Sequence, residues 1–368
     1  MSASLLQAPS PQAPAARVVV IGAGIIGLAA AWWLQRCGHA VVLVDPASHG
    51  PQPEGSGSSA ALGVLMGEVF HRSSGRAWQL RQQSLQLWQQ WCAELATAGQ
   101  PVPHRQGLLL LAASAQEQER LEALALNRQA LGMAMELWQR PALEALCPAL
   151  PRGALAGLFS PRDGQLDPLA AMAAFRHDGQ ARGLELRADR VAALERRNGR
   201  WHLSLQGGGG LEAPWVLVAA GLASPALLAP LGHERPLEPV LGQAAELEVG
   251  PELTTTWPAS VVWRGINLVP RPQRRLWLGA TLEPGLSADP ARWNALRQLE
   301  GEAPEWLAGA CVLRRWQGLR ARPVGRPAPL LELLEPGLLL LSGHYRNGVL
   351  LAPASAAWAA ELIATASP

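Results

Sequence analysis

Residues 18–45 read VVVIGAGIIGLAAAWWLQRCGHAVVLVD: an apolar strand, a glycine turn, a small-residue helix, a second apolar strand and an acid. No other segment restricts the fold as strongly. Gly22 and Gly24 allow a tight turn in which bare backbone can approach a diphosphate, and Gly27 lets the helix pack close to the strands. Ala23, Ile25 and Ile26 complete the turn and open the helix, whose free N–H groups and positive dipole end face the anion. Asp45 follows 18 positions after Gly27, where a carboxylate can accept ribose hydroxyls. The unit predicts a Rossmann-type α/β domain that binds a dinucleotide.

An acid at Asp45 suits NAD or FAD and disfavours NADP, whose 2′-phosphate it would repel. A second glycine-rich loop follows at once, Glu54-Gly-Ser-Gly-Ser-Ser-Ala-Ala-Leu-Gly63, bringing Ser58, Ser59, Ala60, Ala61 and Gly63. A simple nicotinamide fold has no need of it, whereas a flavin buried along its ribityl chain and diphosphate does.

At 368 residues and 49% hydrophobic content the chain predicts two domains with sizeable cores. Its 31 basic residues are all arginine, dispersed among 29 acids for a net charge of +2, so no nucleic-acid footprint appears. The absence of lysine excludes lysine Schiff-base chemistry and Walker-type phosphate loops, and leaves every long side-chain cation a planar, permanently charged fork. Cys37, Cys92, Cys147 and Cys311 are too scattered for a CxxC pair, and the eight histidines show no ligand spacing, so neither disulfides nor a metal are expected. Residues 1–16, rich in Ala, Pro and Ser, read as a flexible tail without signal-peptide character. No apolar run is read as approaching 18 residues, so no membrane span and a soluble, cytoplasmic protein are expected.

Farther along, 74–98 and 115–131 read as helices, with the tryptophans of the first as core, and 107–112 as a buried strand. Residues 160–168 read as a turn running into a helix, with Asp167 as N-cap and Pro168 at the first helical position. Asn198-Gly199 between alternating segments predicts a hairpin. Residues 214–221 form a buried strand expected beside the first nucleotide-binding strands. From about Pro236 short strands dominate, at 244–248, 260–263, 266–269 and 276–280. Strand, glycine loop and helix then recur at 338–341, 342–348 and 354–364. The expected organisation is discontinuous: residues 17–80, 163–232 and 326–368 bind the dinucleotide, and 81–162 with 233–325 form a sheet-rich α+β substrate domain.

GAGIIGLAAAWWL, DGQLDP, VLVAAG, LVPR, LGAT, WQGLR and GHYRNGVLLAP occur in this order. Together they resemble the D-amino-acid oxidase-like superfamily of FAD enzymes, and the glycine oxidases within it most closely, over nearly all of the chain from residue 17. The resemblance implies non-covalent FAD and an amine oxidase: a small amino acid, glycine above all, loses a hydride to the flavin and leaves as an imine that hydrolyses to glyoxylate and ammonia. Oxygen reoxidises the flavin to give hydrogen peroxide, and in such enzymes the product feeds thiamine thiazole synthesis. A D-amino-acid dehydrogenase passing electrons to a quinone or carrier is the alternative, and a homo-oligomer is expected from relatives.

The resemblance also assigns roles. Arg320 of WQGLR would clamp the substrate carboxylate, with Arg322 as the competing candidate, and Arg346 of GHYRNG would sit by flavin and substrate. Gly343, His344, Tyr345, Arg346, Asn347, Gly348 and Val349 would run along the flavin ring, with His344 as a structural donor. Val191, Ala220 and Gly221 would complete the cofactor wall. Where glycine oxidases present a histidine and a tyrosine, this chain has Gly265 and Asn267, and Tyr345 is its only tyrosine. Asn267 thus joins the expected substrate contacts, in a pocket wall expected to be smaller and more open. Lysine-dependent oxygen activation and cysteine-tethered flavin, features of sarcosine-oxidase relatives, are disfavoured.

Overall fold

A computed structural model describes residues 15–250 and 257–366, so residues 1–14 of the expected tail lie outside the described residues. Ala16 is already anchored: its carbonyl accepts from Ala40 N at 3.0 Å. Strand Arg17–Ile21 pairs in parallel with Ala40–Val44 on one side and Trp215–Val218 on the other. Glu185–Arg187 and Leu338–Ser342 extend this parallel set, and Leu330–Glu335 closes one edge antiparallel. The strand at 215–218 is thus distant in sequence and adjacent in space, as its apolar run and terminal glycine predict. Strands buried on both faces read as continuous Val and Leu runs because there is no solvent side to make them alternate.

One face of this six-stranded sheet is covered by helices Ile25–Arg36, Arg76–Thr97, Pro168–Ala181 and Gly348–Thr365. Their contact is aromatic: Trp32 meets Trp91 edge-on at 4.8 Å and Phe175 at 5.0 Å. The indole of Trp32 donates to Asp178 at 2.7 Å, which satisfies its one buried polar atom. The opposite face carries a three-stranded sheet built on the hairpin Val191–Arg197/Arg200–Leu205. Its turn has positive φ at Asn198 and Gly199 (51° and 78°), the conformation that an Asn-Gly pair favours.

Three sequence expectations change. Residues 160–166 do not form a turn but complete strand Ala156–Leu166, after which Asp167 caps helix Pro168–Ala181 by accepting from Leu169 N and Ala170 N. The last helix begins at Gly348, six residues before the expected 354, despite Pro353 inside it. Pro353 leaves the Val349 carbonyl without its helical donor, and the Trp88 indole supplies one at 2.9 Å. That helix, Gly348–Thr365, is also long and apolar enough to cross a membrane by length and composition, with a mean hydropathy of 1.4. Leu350, Leu351, Ala352, Ala356 and Ala359 are instead buried in the helical layer, which accounts for its apolar composition.

The second layer is a large mixed sheet in the order 283–284, 237–248, 275–279, 266–271, 260–263, 104–112, 156–166, 64–65, with Val312–Pro323 paired to Leu237–Glu248. Two junctions differ from the expected segment borders. Strand Val64–Leu65 and residues 163–166 run in this sheet, and a border at 80/81 falls inside helix Arg76–Thr97, most of whose buried face belongs to the helical layer while Trp78 lies under the Arg128 guanidinium.

Candidate active site

The parallel strands deliver Ile21, Val44, Val218 and Ser342 to one edge, and the loops that follow each of them open onto a single cavity of about 1080 Å³. This is where open α/β sheets bind ligands. The volume sits at the top of the range of about 300–1,000 Å³ for small-molecule sites, as a dinucleotide requires.

Gly22 (φ +107°) makes the first turn, and a Cβ there would meet Ala219 O at 2.6 Å. Gly22, Gly24, Ile25 and Ile26 line the cavity, whereas Ala23 and Gly27 do not. Gly27 acts from beneath: a Cβ there would meet Gly22 O at 1.8 Å, so it sets the closeness of helix and turn. Ala23, fully buried, donates its N–H to Asp45 Oδ2 at 2.9 Å. Asp45 lines the cavity and also accepts from Ala47 N at 2.7 Å, leaving lone pairs for a ligand hydroxyl. Gly24 offers no capping side chain to the helix, so Ser58 of the second glycine loop caps it from outside, accepting from Ile25 N at 3.0 Å.

Ser58, Ala60, Ala61 and Gly63 form the next wall. Ser59 does not; its hydroxyl braces the loop on Pro53 O at 2.9 Å. This loop rests on strand Val312–Pro323 without side-chain clearance. Leu319 N donates to Gly55 O at 2.9 Å, and a Cβ on Gly57 would meet Leu319 O at 2.8 Å. Val191, Ala220 and Gly221 also line the cavity, as do all of residues 343–349. In that last loop His344 is buried, and its Nε2 sits 2.9 Å from Ser355 Oγ. Burial pushes its pKa down to about 3, so it is neutral and structural.

The large sheet supplies the other end. Asn267 on Ile266–Arg271 and Arg320 on Val312–Pro323 both line the cavity. Arg320 Nη1 donates to Thr281 O at 3.1 Å and Leu241 O at 3.3 Å, which fixes the fork without neutralising it. Among the described residues neither Arg320 nor Arg346 has a carboxylate within ion-pair distance. Glu283, an acid that acts on Arg320, is occupied by Gln243 Nε2 at 3.0 Å, Asp289 N at 2.6 Å and the Thr281 hydroxyl. Burial, then the like charge of Arg346, lowers the pKa of Arg320, with Tyr345 and Glu283 opposing. Arg322 stands elsewhere: its guanidinium is paired with Glu238 and does not line the cavity.

Asn267 Oδ1 is buried with no hydrogen-bond partner, an acceptor in want of a donor. Gly265 is not a wall position. Together with Arg264 it forms the tip of the hairpin Ser260–Trp263/Ile266–Arg271, with φ of +81° and +46°, and it lies outside the cavity lining. The pocket wall expected there is therefore made at Asn267 alone.

The sequence reading missed Gln52, Met66, Phe70, His71 and Arg81, all of which line the cavity. Arg81 had a legible signal, since it shares the buried stripe of its helix with Ser84, Trp88 and Leu95, where a charge is unexpected. The others lie in irregular segments without a motif.

The cradle suits FAD: glycines where a Cβ would collide, a helix N-terminus and an acid at one end, and an extended groove to the second sheet. The family model described as "DAO: FAD dependent oxidoreductase" matches residues 17–362. A glycine oxidase from Pseudomonas putida is 30% identical over 368 residues, covering 96% of this chain and 95% of that protein. The "Bifunctional protein ThiO/ThiG" of Nostoc sp. is 28% identical over 360 residues, covering 94% of this chain and 52% of its own length. Among solved structures, glycine oxidase from Geobacillus kaustophilus superposes with a TM-score of 0.85 at 25% identity, covering 96% of each chain. The chain belongs to the DAO family of FAD-dependent oxidoreductases.

Proposed function

We propose that this protein is a glycine-oxidase-like enzyme that oxidises the Cα–N bond of a small amino acid and releases hydrogen peroxide. The observation that carries this reading is the pair Arg320 and Arg346, without carboxylate partners among the described residues, on the cavity that the glycine loops also line. A planar fork can hold both oxygens of a substrate carboxylate, and each charge-assisted hydrogen bond contributes about 1.5–3 kcal/mol. The carbonyls of Leu241 and Thr281 hold Arg320 in place before substrate arrives, so little orientation remains to be lost on binding. Asn267 Oδ1 is the acceptor for the substrate amine, fixing the second of the two groups on Cα.

Residues 22–26 and Asp45 would hold the adenosine diphosphate portion, 58–63 the ribityl side, and 343–349 the ring, all without a covalent link. Bound FAD supplies the two-electron acceptor for the Cα hydride and the route to O2. His344, neutral and bonded to Ser355, holds the loop and moves no proton. For glycine, hydrolysis of the released imine gives glyoxylate and ammonia; the similarity to the ThiO/ThiG protein supports a product destined for thiamine thiazole synthesis.

The cytoplasm is the proposed location, with neither nucleic acid nor a membrane as partner and a homo-oligomer as the assembly. The six-stranded sheet with its helices forms the FAD-binding domain and the large sheet the substrate domain. FAD-loaded protein given glycine in air should produce glyoxylate and hydrogen peroxide in equal amounts. Glyoxylate without peroxide would instead favour the dehydrogenase, and neither product would refute the assignment.

A further inference from the structure

Loop residues 67–72 bring Val69, Phe70 and His71 to the cavity wall and are held from two sides. The Asp163 carboxylate accepts the N–H groups of Gly67, Glu68 and Val69 at 2.7, 2.9 and 2.9 Å. Arg128, 1% exposed, donates to the carbonyls of Glu68 at 2.8 Å, Arg72 at 3.0 Å and Phe70. This double clip places Phe70 and His71 in the cavity wall and sets the Phe70 ring 3.8 Å from the Arg81 guanidinium.

Arg81 is only 7% exposed, yet it lines the cavity. Its hydrogen bond runs from Nη1 to Ala77 O at 3.1 Å, one turn back in its own helix, and its Nε is buried without a partner. Among the described residues no carboxylate lies within ion-pair distance of it. Asp163, the acid that acts on Arg81, is already saturated by the three backbone donors. The acids in the cavity lining are Asp45 and Asp189, and both belong to the nucleotide side, where Asp45 accepts from Ala23 N and Asp189 from Gly207 N. A buried cation with no carboxylate in ion-pair contact is costly, Asp163 offsets that cost only at longer range, and a ligand anion in contact would lower it further.

We infer that Arg81 is a second acid-recognition point, and that the preferred substrate is a small aminodicarboxylate with one acid group on Arg320 and Arg346 and the other on Arg81. The inference rests on the amine-oxidase reading above and narrows it to a substrate class. Arg81 touches no reacting atom in this account. Its guanidinium lies over the Phe70 ring, with Nε left without a hydrogen-bond partner.

Non-reacting probes test this on the full FAD-loaded chain. Malonate, succinate and glutarate are titrated against propionate, butyrate and pentanoate, and binding is read from the shift of the flavin absorbance. At low salt at least one diacid should bind about tenfold or more tightly than its monoacid of equal length. In Arg81→Gln that ratio should fall to about one while flavin content is retained. Equal affinities in the wild-type protein overturn the inference whether or not the variant folds, and so does a variant that keeps the ratio or loses FAD in its place. Glycine turnover without a diacid preference defeats this inference alone. Failure of every amino acid to reduce the flavin defeats the parent reading.

Discussion

The two ends of the cavity offer an anion opposite kinds of partner. At the parallel-sheet end the contacts are main chain, a helix N-terminus and glycines whose missing Cβ atoms leave room. At the large-sheet end they are side-chain forks, Arg320 and Arg346, whose charges have no acid partner among the described residues. A main-chain site keeps its chemistry through side-chain change but fails on one added methyl. A side-chain site tolerates small backbone shifts and is retuned by one substitution. The first end can therefore stay constant while the second sets the substrate.

The largest expected effect lies at the main-chain end. Gly27→Ala places a methyl 1.8 Å from Gly22 O and should destabilise the protein by about 3 kcal/mol, with loss of bound FAD. Thermal unfolding and the flavin-to-protein absorbance ratio check this; a variant with normal flavin content would break the contrast between the two ends.

Next comes the side-chain end. Arg320→Leu should raise KM for glycine about 100-fold while FAD stays bound. Steady-state kinetics decide it, and a KM within a factor of about two of wild type would remove the clamp from Arg320.

His344 sharpens the comparison from the loop that joins the ends. Its pKa is about 3 when folded against the ordinary 6.5, so the unfolded chain binds the extra proton between those values. Its contribution, on the order of 4 kcal/mol, is complete above pH 6.5 and is lost as pH falls towards 3. Denaturant unfolding at several pH values should show a shallower acid-side decline in His344→Gln; an unchanged slope would contradict the buried, neutral imidazole.

The smallest effect is Arg322→Ala, since a half-exposed pair with Glu238 outside the cavity is well screened by solvent. KM for glycine should stay within about twofold. A large rise would exchange the roles of the two arginines.

The same contrast governs what could be read from the sequence. Gly22, Gly24, Gly27 and Asp45 announce themselves because a backbone-built turn needs fixed spacing, and the place of strand Trp215–Val218 beside the first strand followed from an apolar run ending in glycine. Arg320 is one arginine in 31, and nothing local distinguishes it; only its block, and then the pairing of Val240 with Arg320 across two strands, brings it to the cavity. Gly265 shows the reverse error, for a position matched by resemblance is a hairpin tip, where Arg264-Gly265 adopts two positive φ values. The last helix starts at Gly348, ahead of the expected 354, because a distant indole satisfies the carbonyl that Pro353 leaves free. Such compensations are tertiary and leave no local trace.

The most direct test of the central claim compares glycolate and methylamine as ligands of the FAD-loaded protein. Glycolate carries the acid group without the amine, and methylamine the reverse. Saturable perturbation of the flavin spectrum by glycolate, with none from methylamine at the same concentration, is the predicted result. Equal perturbation by both, or by neither, would show that Arg320 and Arg346 do not receive a substrate carboxylate beside the flavin.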